Sequence, residues 1–276
     1  MMMKAMIALM LFGLSSFTFA AGPRVVIAGG SLVEIVYALG AGDTVVGVDQ
    51  TTTYPPQTAT LPKVSNWQQL TSEGILSLHP TLLMTWQDAN PPQVLNQLEQ
   101  AGVTVARFTR TPSTPAQLLS NIRQAGALLN RTEAAEQLAT RLSQQLSAVS
   151  ERLATRKDRV SVVFLLSVGS SAAQVAGKNT VVDSLIALAG GKNIATHSQY
   201  RIYGGEAMIA ANPEVVVVTT QSVANGVEAL AAVPGLTQTA AWKNQRIIAL
   251  DQAILLGMGP RVTEAVEALN RGFYPD

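Results

Sequence analysis

One pattern in this 276-residue chain occurs twice and sets what the chain can fold into. Residues 73–86 read EGILSLHPTLLMTW and residues 206–219 read EAMIAANPEVVVVT. In each, a Glu leads an apolar helical turn, a Pro ends it, and an apolar run follows. The second copy lies 133 residues after the first at both the Glu (73 and 206) and the Pro (80 and 213). Pro stops a helix because it lacks the backbone donor and clashes with the turn before it. An apolar run without alternation suits a strand covered on both faces, as in a parallel sheet. Each copy is thus a helix feeding an interior strand. A fainter echo relates 33–42 (VEIVYALGAG) to 182–191 (VDSLIALAGG). The repeat predicts an α/β chain of two Rossmann-like lobes with mostly parallel sheets.

The longest periodic stretch, 133–156, joins the two copies. Its apolar residues Ala135, Leu138, Ala139, Leu142, Leu146, Val149 and Leu153 recur every three or four positions, with no Gly or Pro inside. At about 1.5 Å per residue this predicts a single long α-helix, a rod of roughly 36 Å acting as a strut between the lobes. The division expected is 1–20 signal peptide, 21–130 N-terminal lobe, 131–157 connecting helix and 158–276 C-terminal lobe. Within the lobes, strands are predicted at 24–29, 45–48, 103–108, 160–166 and 246–250. Helices are predicted at 32–39 (capped by Ser31), 92–101, 115–129, 181–188 and from 263, with loops at 50–62 and 167–177.

The N-terminus places Lys4 before a short apolar run and small residues ending near Ala20, the form of a secretory signal peptide. Its apolar segment falls short of the ~20 residues a membrane span needs, and no later segment is long enough. The chain has no Cys, which excludes disulfides, thiolate metal sites and a lipidated N-terminal Cys. A free, monomeric periplasmic protein of a Gram-negative cell is expected. A net charge of +1 with 13% charged residues, and no basic cluster on one face, argues against nucleic acid as a partner.

Catalysis has little support. No Gly-rich nucleotide loop or Walker loop is present, and 29–33 (GGSLV) fails the nucleophile-elbow pattern at its last position. His79 and His197 are the only histidines, too few for a three-His metal site. Binding has more, because ligands of open α/β sheets sit at the carboxyl ends of strands. Those ends fall at 29–31, 50–54, 65–69, 86–90, 167–174, 199–203 and 256–261. Tyr54, Trp67, Trp86, Tyr200 and Tyr203 all lie there, although aromatics are only 5% of the chain. Aromatics facing a cleft offer flat surface at low entropic cost, which a large planar ligand requires.

The stretches 28–34 (AGGSLVE), 61–64 (LPKV), 71–78 (TSEGILSL), 179–193, 198–201 (SQYR) and 255–261 (LLGMGPR) carry a resemblance over the whole mature chain. It resembles the class of ABC-importer periplasmic binding proteins whose two lobes are joined by one long helix and which carry heme, cobalamin or ferric siderophores. The last three stretches are similar to the heme-binding branch. That resemblance implies heme as the transported ligand, held between the lobes and delivered to an inner-membrane ABC permease. It implies that Glu73 and Glu206, one per lobe, pair with Arg residues of the permease. It further implies a cleft of Tyr54, Asn66, Trp67, Gln68, Trp86, Tyr200, Arg201, Tyr203 and Arg261. In it Trp67 and Trp86 flank the macrocycle, Arg201 or Arg261 pairs with carboxylates, and Tyr200 ligates iron. The chain departs from the heme branch at 65–68 (SNWQ), where Asn66 and Gln68 replace a Tyr and an Arg, and at Val168, where some members carry a His. There, 64–68 (VSNWQ) and Thr85-Trp86 resemble the cobalamin branch, which stacks Trp on a corrin. Cobalamin is therefore the alternative ligand, followed by a ferric siderophore.

Overall fold

The computed structural model describes residues 22–154, 158–166 and 173–275. The expected signal peptide, Val168 and the first part of the 167–177 loop lie outside these residues. The N-terminal half runs β1 (Val25–Ala28), α1 (Gly30–Ala38), β2 (Val45–Asp49), β3 (Lys63–Val64), α2 (Ser72–Leu76), β4 (Leu82–Trp86), α3 (Pro92–Gln100), β5 (Thr104–Phe108) and α4 (Pro115–Leu128). Helix α5 (Thr132–Ala154) follows. The C-terminal half runs β6 (Ser161–Leu165), β7 (Gln174–Ala176), α6 (Val181–Leu188), β8 (Lys192–Asn193), β9 (Tyr200–Ile202), α7 (Gly205–Ala211), β10 (Val215–Thr219), α8 (Ala240–Lys243), β11 (Ile247–Leu250), α9 (Gln252–Leu256) and α10 (Val262–Phe273).

The first sheet has the order β3-β2-β1-β4-β5 and is parallel throughout. In the second, β8, β6, β10 and β11 pair in parallel as β2, β1, β4 and β5 do in the first. The sequence repeat is therefore a structural one. β4 and β10, the apolar runs after the two prolines, are interior strands buried at every position. The protein is thus two α/β lobes with mostly parallel sheets, joined by one long helix.

Three local expectations are corrected. Ser31 does not cap α1: the cap is Gly29, whose carbonyl accepts from the amides of Leu32 and Val33 at 3.0 and 3.2 Å, and Ser31 is already helical and buried. The loop expected over 50–62 contains a 3-10 turn at Pro56–Thr60. The loop expected over 167–177 and the segment at 199–203 instead contribute β7 and β9, which add to the second sheet antiparallel. Both are only three residues long, too short for a period-2 pattern to register.

Over the described residues helix α5 is as continuous as its spacing predicts, and at 23 residues it is roughly 35 Å long; the expected end of the connecting helix at 155–157 lies outside them. Its buried stripe, Ala135, Leu138, Ala139, Leu142, Leu146 and Val149, belongs to one apolar cluster. That cluster takes in Leu118, Ile122 and Ala125 of α4 on one side and Leu185, Ile186, Val266 and Leu269 of the second lobe on the other. The approach of α4 to α5 is close enough that a Cβ at Gly126 would sit on that of Ala135. The strut is therefore welded into both lobes by continuous apolar packing rather than suspended between them.

Candidate functional site

The carboxyl edges of the two sheets face each other across a cleft of about 380 Å³, within the ~300–1,000 Å³ usual for small-molecule sites. The first lobe lines it with the start of α1, residues 51–54, Trp67, Gln68, Trp86 and Arg110. The second lobe lines it with Leu166, Thr180, Val181, Gln199, Tyr200 and the 252–257 stretch.

Each element reaches the cleft for a local reason. Buried Asp49 ends β2, and its Oδ1 accepts from the Thr51 amide (2.9 Å), the Thr51 hydroxyl (2.7 Å) and the Thr52 hydroxyl (3.1 Å). Lys63 Nζ donates to the carbonyls of Thr52 (3.0 Å) and Thr58 (3.2 Å), so the segment carrying Tyr54 is fixed from both sides. The Trp67 turn is tied to the end of β4, since Asn90 donates its amide to the Trp67 carbonyl at 2.7 Å and accepts from the Leu70 amide at 2.7 Å. Trp86 ends β4 and is only 5% exposed, so it forms floor rather than wall. Its indole lies under the entry to α1, where Gly29 has φ 151° and a Cβ would stand 2.7 Å from Nε1. Gly29→Ala is expected to cost about 1–3 kcal/mol through that clash and the strained φ, read as a lowered urea midpoint with altered tryptophan emission.

A buried ion pair bridges the lobes at one side of the cleft. Glu34 of α1 accepts from Arg261 Nε at 3.0 Å and Nη2 at 2.7 Å, a bidentate fork, and the guanidinium lies 3.6 Å above the Tyr54 ring. Burial pushes the Glu34 carboxyl up from its ordinary value, and the hydrogen bonds and charge of Arg261 offset only part of that shift. For Arg261, burial works against the charge, but the Glu34 hydrogen bond and charge outweigh it and hold the group above its usual value.

On the opposite wall Tyr200 begins β9. Burial pushes its phenol up to about 12, against the pull of the Arg110 charge across the cleft. Arg110 follows the carboxyl end of β5, lies 4.7 Å over the Trp67 ring and gives Nη2 to Asp88 at 2.6 Å.

The structure brings Tyr54, Trp67, Gln68, Trp86 and Tyr200 to one cleft. It does not bring the other four there as free groups. Asn66 turns its Oδ1 back to the Gln68 amide at 2.8 Å. Tyr203 packs against the second-lobe core with its ring 5.2 Å from His197. Arg201 is exposed on β9 and outside the lining, and Arg261 is committed to Glu34. Trp67 and Trp86 both come from the first lobe, so they cannot face each other across the gap. Glu73 and Glu206 occupy the first turns of α2 and α7, exposed and outside every ion pair among the described residues. Sequence reading missed Glu34 and Arg110; Arg110 follows β5, whose last residue, Phe108, is an aromatic buried in the core and so gives no sign of the cleft.

Two α/β lobes with mostly parallel sheets, welded to one long helix and enclosing an aromatic cleft between their carboxyl edges, define a two-lobed solute-binding protein. The chain belongs to the periplasmic binding protein family, whose model matches residues 25–254. Among solved structures it is similar to the periplasmic heme-binding protein RhuT from Roseiflexus sp. RS-1 in apo form, at 38% identity and a TM-score of 0.87, covering 92% of this chain and 98% of that one. It is also similar to the periplasmic heme-binding protein BhuT in complex with two hemes, at 34% identity and a TM-score of 0.85, with the same shares covered. Among curated relatives, the vitamin B12-binding protein of Vibrio campbellii is 32% identical over 229 residues, 82% of this chain and 81% of that protein. The protein is therefore a periplasmic binding protein of an ABC importer. No helix among the described residues is long and apolar enough to cross a membrane.

Proposed function

We propose that the protein is exported to the periplasm by its signal peptide, binds heme between its lobes as a monomer, and delivers it to an inner-membrane permease. The observation that carries this reading is Tyr200, a phenol lining the second-lobe wall of a cleft whose first-lobe side presents Trp67 and Trp86. Phenolate oxygen is an established heme-iron ligand, and the indoles and Tyr54 supply flat surface for the macrocycle. Gln68 lines the same space, and Asn66 shapes the turn that presents Trp67. The heme-binding proteins among the solved structures support the same ligand. Glu73 and Glu206, related by the repeat, are the docking carboxylates for the permease.

Tyr200 gives the binding a pH signature. With the phenol pushed up to about 12, it is neutral at pH 7, and ligating iron expels its proton. Hemin affinity should therefore rise with pH through the neutral range, by up to about tenfold per unit. Absorbance titration of the apo-protein with hemin should give a shifted, saturable Soret band that Tyr200→Phe moves toward free hemin while weakening binding.

Cobalamin is the second reading, favoured by Trp67, by Asn66 in place of a Tyr, and by the B12-binding relatives. Tight binding of cyanocobalamin with an unshifted Soret band would select it.

A further inference from the structure

We propose that Arg110 is the residue that reads a ligand carboxylate in this cleft, and so separates a carboxylate-bearing tetrapyrrole from one whose side chains are amidated. The inference rests on the heme reading above. The charged residues that line the cleft are Glu34 and Arg110, and Glu34 is already paired with Arg261. Arg110 is thus the one cation lining the cleft among the described residues.

Its guanidinium is incompletely used. One nitrogen goes to Asp88 and one face rests on Trp67. Nε is buried with no hydrogen-bond partner, alone among cationic nitrogens of the described residues. A buried donor left unmade is costly, and guanidinium matches a carboxylate through paired N–H groups. The Arg110 carbonyl accepts from the Ser113 hydroxyl at 2.8 Å, so the backbone that aims the side chain is held independently of any ligand. Stacked over the Trp67 ring, the cation lines the same cleft as the indoles, within reach of an acid group carried by a ring bound there. Asp88 then acts as a resident competitor for the same guanidinium.

The test is a set of affinities for the full mature protein with hemin, hemin dimethyl ester and cyanocobalamin. Wild-type protein should bind hemin at least tenfold more tightly than its ester. Arg110→Gln should lose at least tenfold for hemin and less than threefold for the ester. Asp88→Asn, which frees the guanidinium, should bind hemin at least as tightly as wild type. Equal affinity of wild type for hemin and its ester overturns the proposal without recourse to a variant, as does a loss in Arg110→Gln that is the same for both ligands. Tight hemin binding that ignores Arg110 sinks this inference and leaves the heme reading standing. Failure of wild type to bind hemin at all sinks both.

Discussion

Arg261→Met is expected to destabilise the protein by about 3–5 kcal/mol at pH 8, measured as the change in unfolding free energy from urea titration. The size follows from what is left behind. Glu34 is 6% exposed, and Arg261 supplies both of its hydrogen bonds. Without the guanidinium, burial acts unopposed on the carboxyl and its pKa rises further. The sign of the pH dependence is then fixed. A carboxyl whose folded pKa lies above its unfolded value contributes stability below the unfolded value and loses it as pH rises through the folded one. The deficit of the variant should therefore shrink toward pH 5. Glu34→Gln in the same background removes the stranded charge and should recover a large part of the loss. A deficit under about 1 kcal/mol at pH 8, or one that grows on acidification, would show that the bridge between the lobes is incidental.

The second large effect is expected away from the cleft. Glu73→Ala combined with Glu206→Ala should abolish ligand uptake by cells that rely on this receptor, while hemin affinity and the urea midpoint of the purified protein stay within twofold and about 0.5 kcal/mol of wild type. Both carboxylates are exposed and outside any ion pair among the described residues, so their removal costs the fold only the small dipole stabilisation of an exposed helix first turn. Charges of this kind steer and orient docking. Each single variant should retain partial uptake, because the other lobe still docks. Full uptake by the double variant would remove these residues from the permease interface.

What could be read from the sequence was whatever has a period or a punctuation mark. The stripe of α5 announces a long helix because seven apolar residues recur at helical spacing with no breaker. β4 and β10 declare themselves by unbroken apolar runs after Pro, in the same register 133 residues apart. The aromatics of the cleft stood out because aromatics are scarce. What could not be read depends on distance or on brevity. Glu34 and Arg261 are 227 residues apart, and neither has a local pattern naming its partner. The same lack of a local signal put Tyr203 wrongly in the cleft, since its packing beside His197 just past β9 follows from tertiary structure and not from its neighbours in sequence. Strands β7 and β9 are too short for alternation. The cap of α1 falls at Gly29 rather than Ser31 because a glycine can hold φ 151° beside the Trp86 indole, and that constraint is tertiary.

The most direct test is a crystal structure of the protein loaded with hemin. The macrocycle is predicted to lie between the lobes against Trp67 and above Trp86, with iron within bonding distance of the Tyr200 oxygen and a propionate on Arg110. Hemin found outside the cleft, or bound within it with Tyr200 turned away from the iron, would contradict the account.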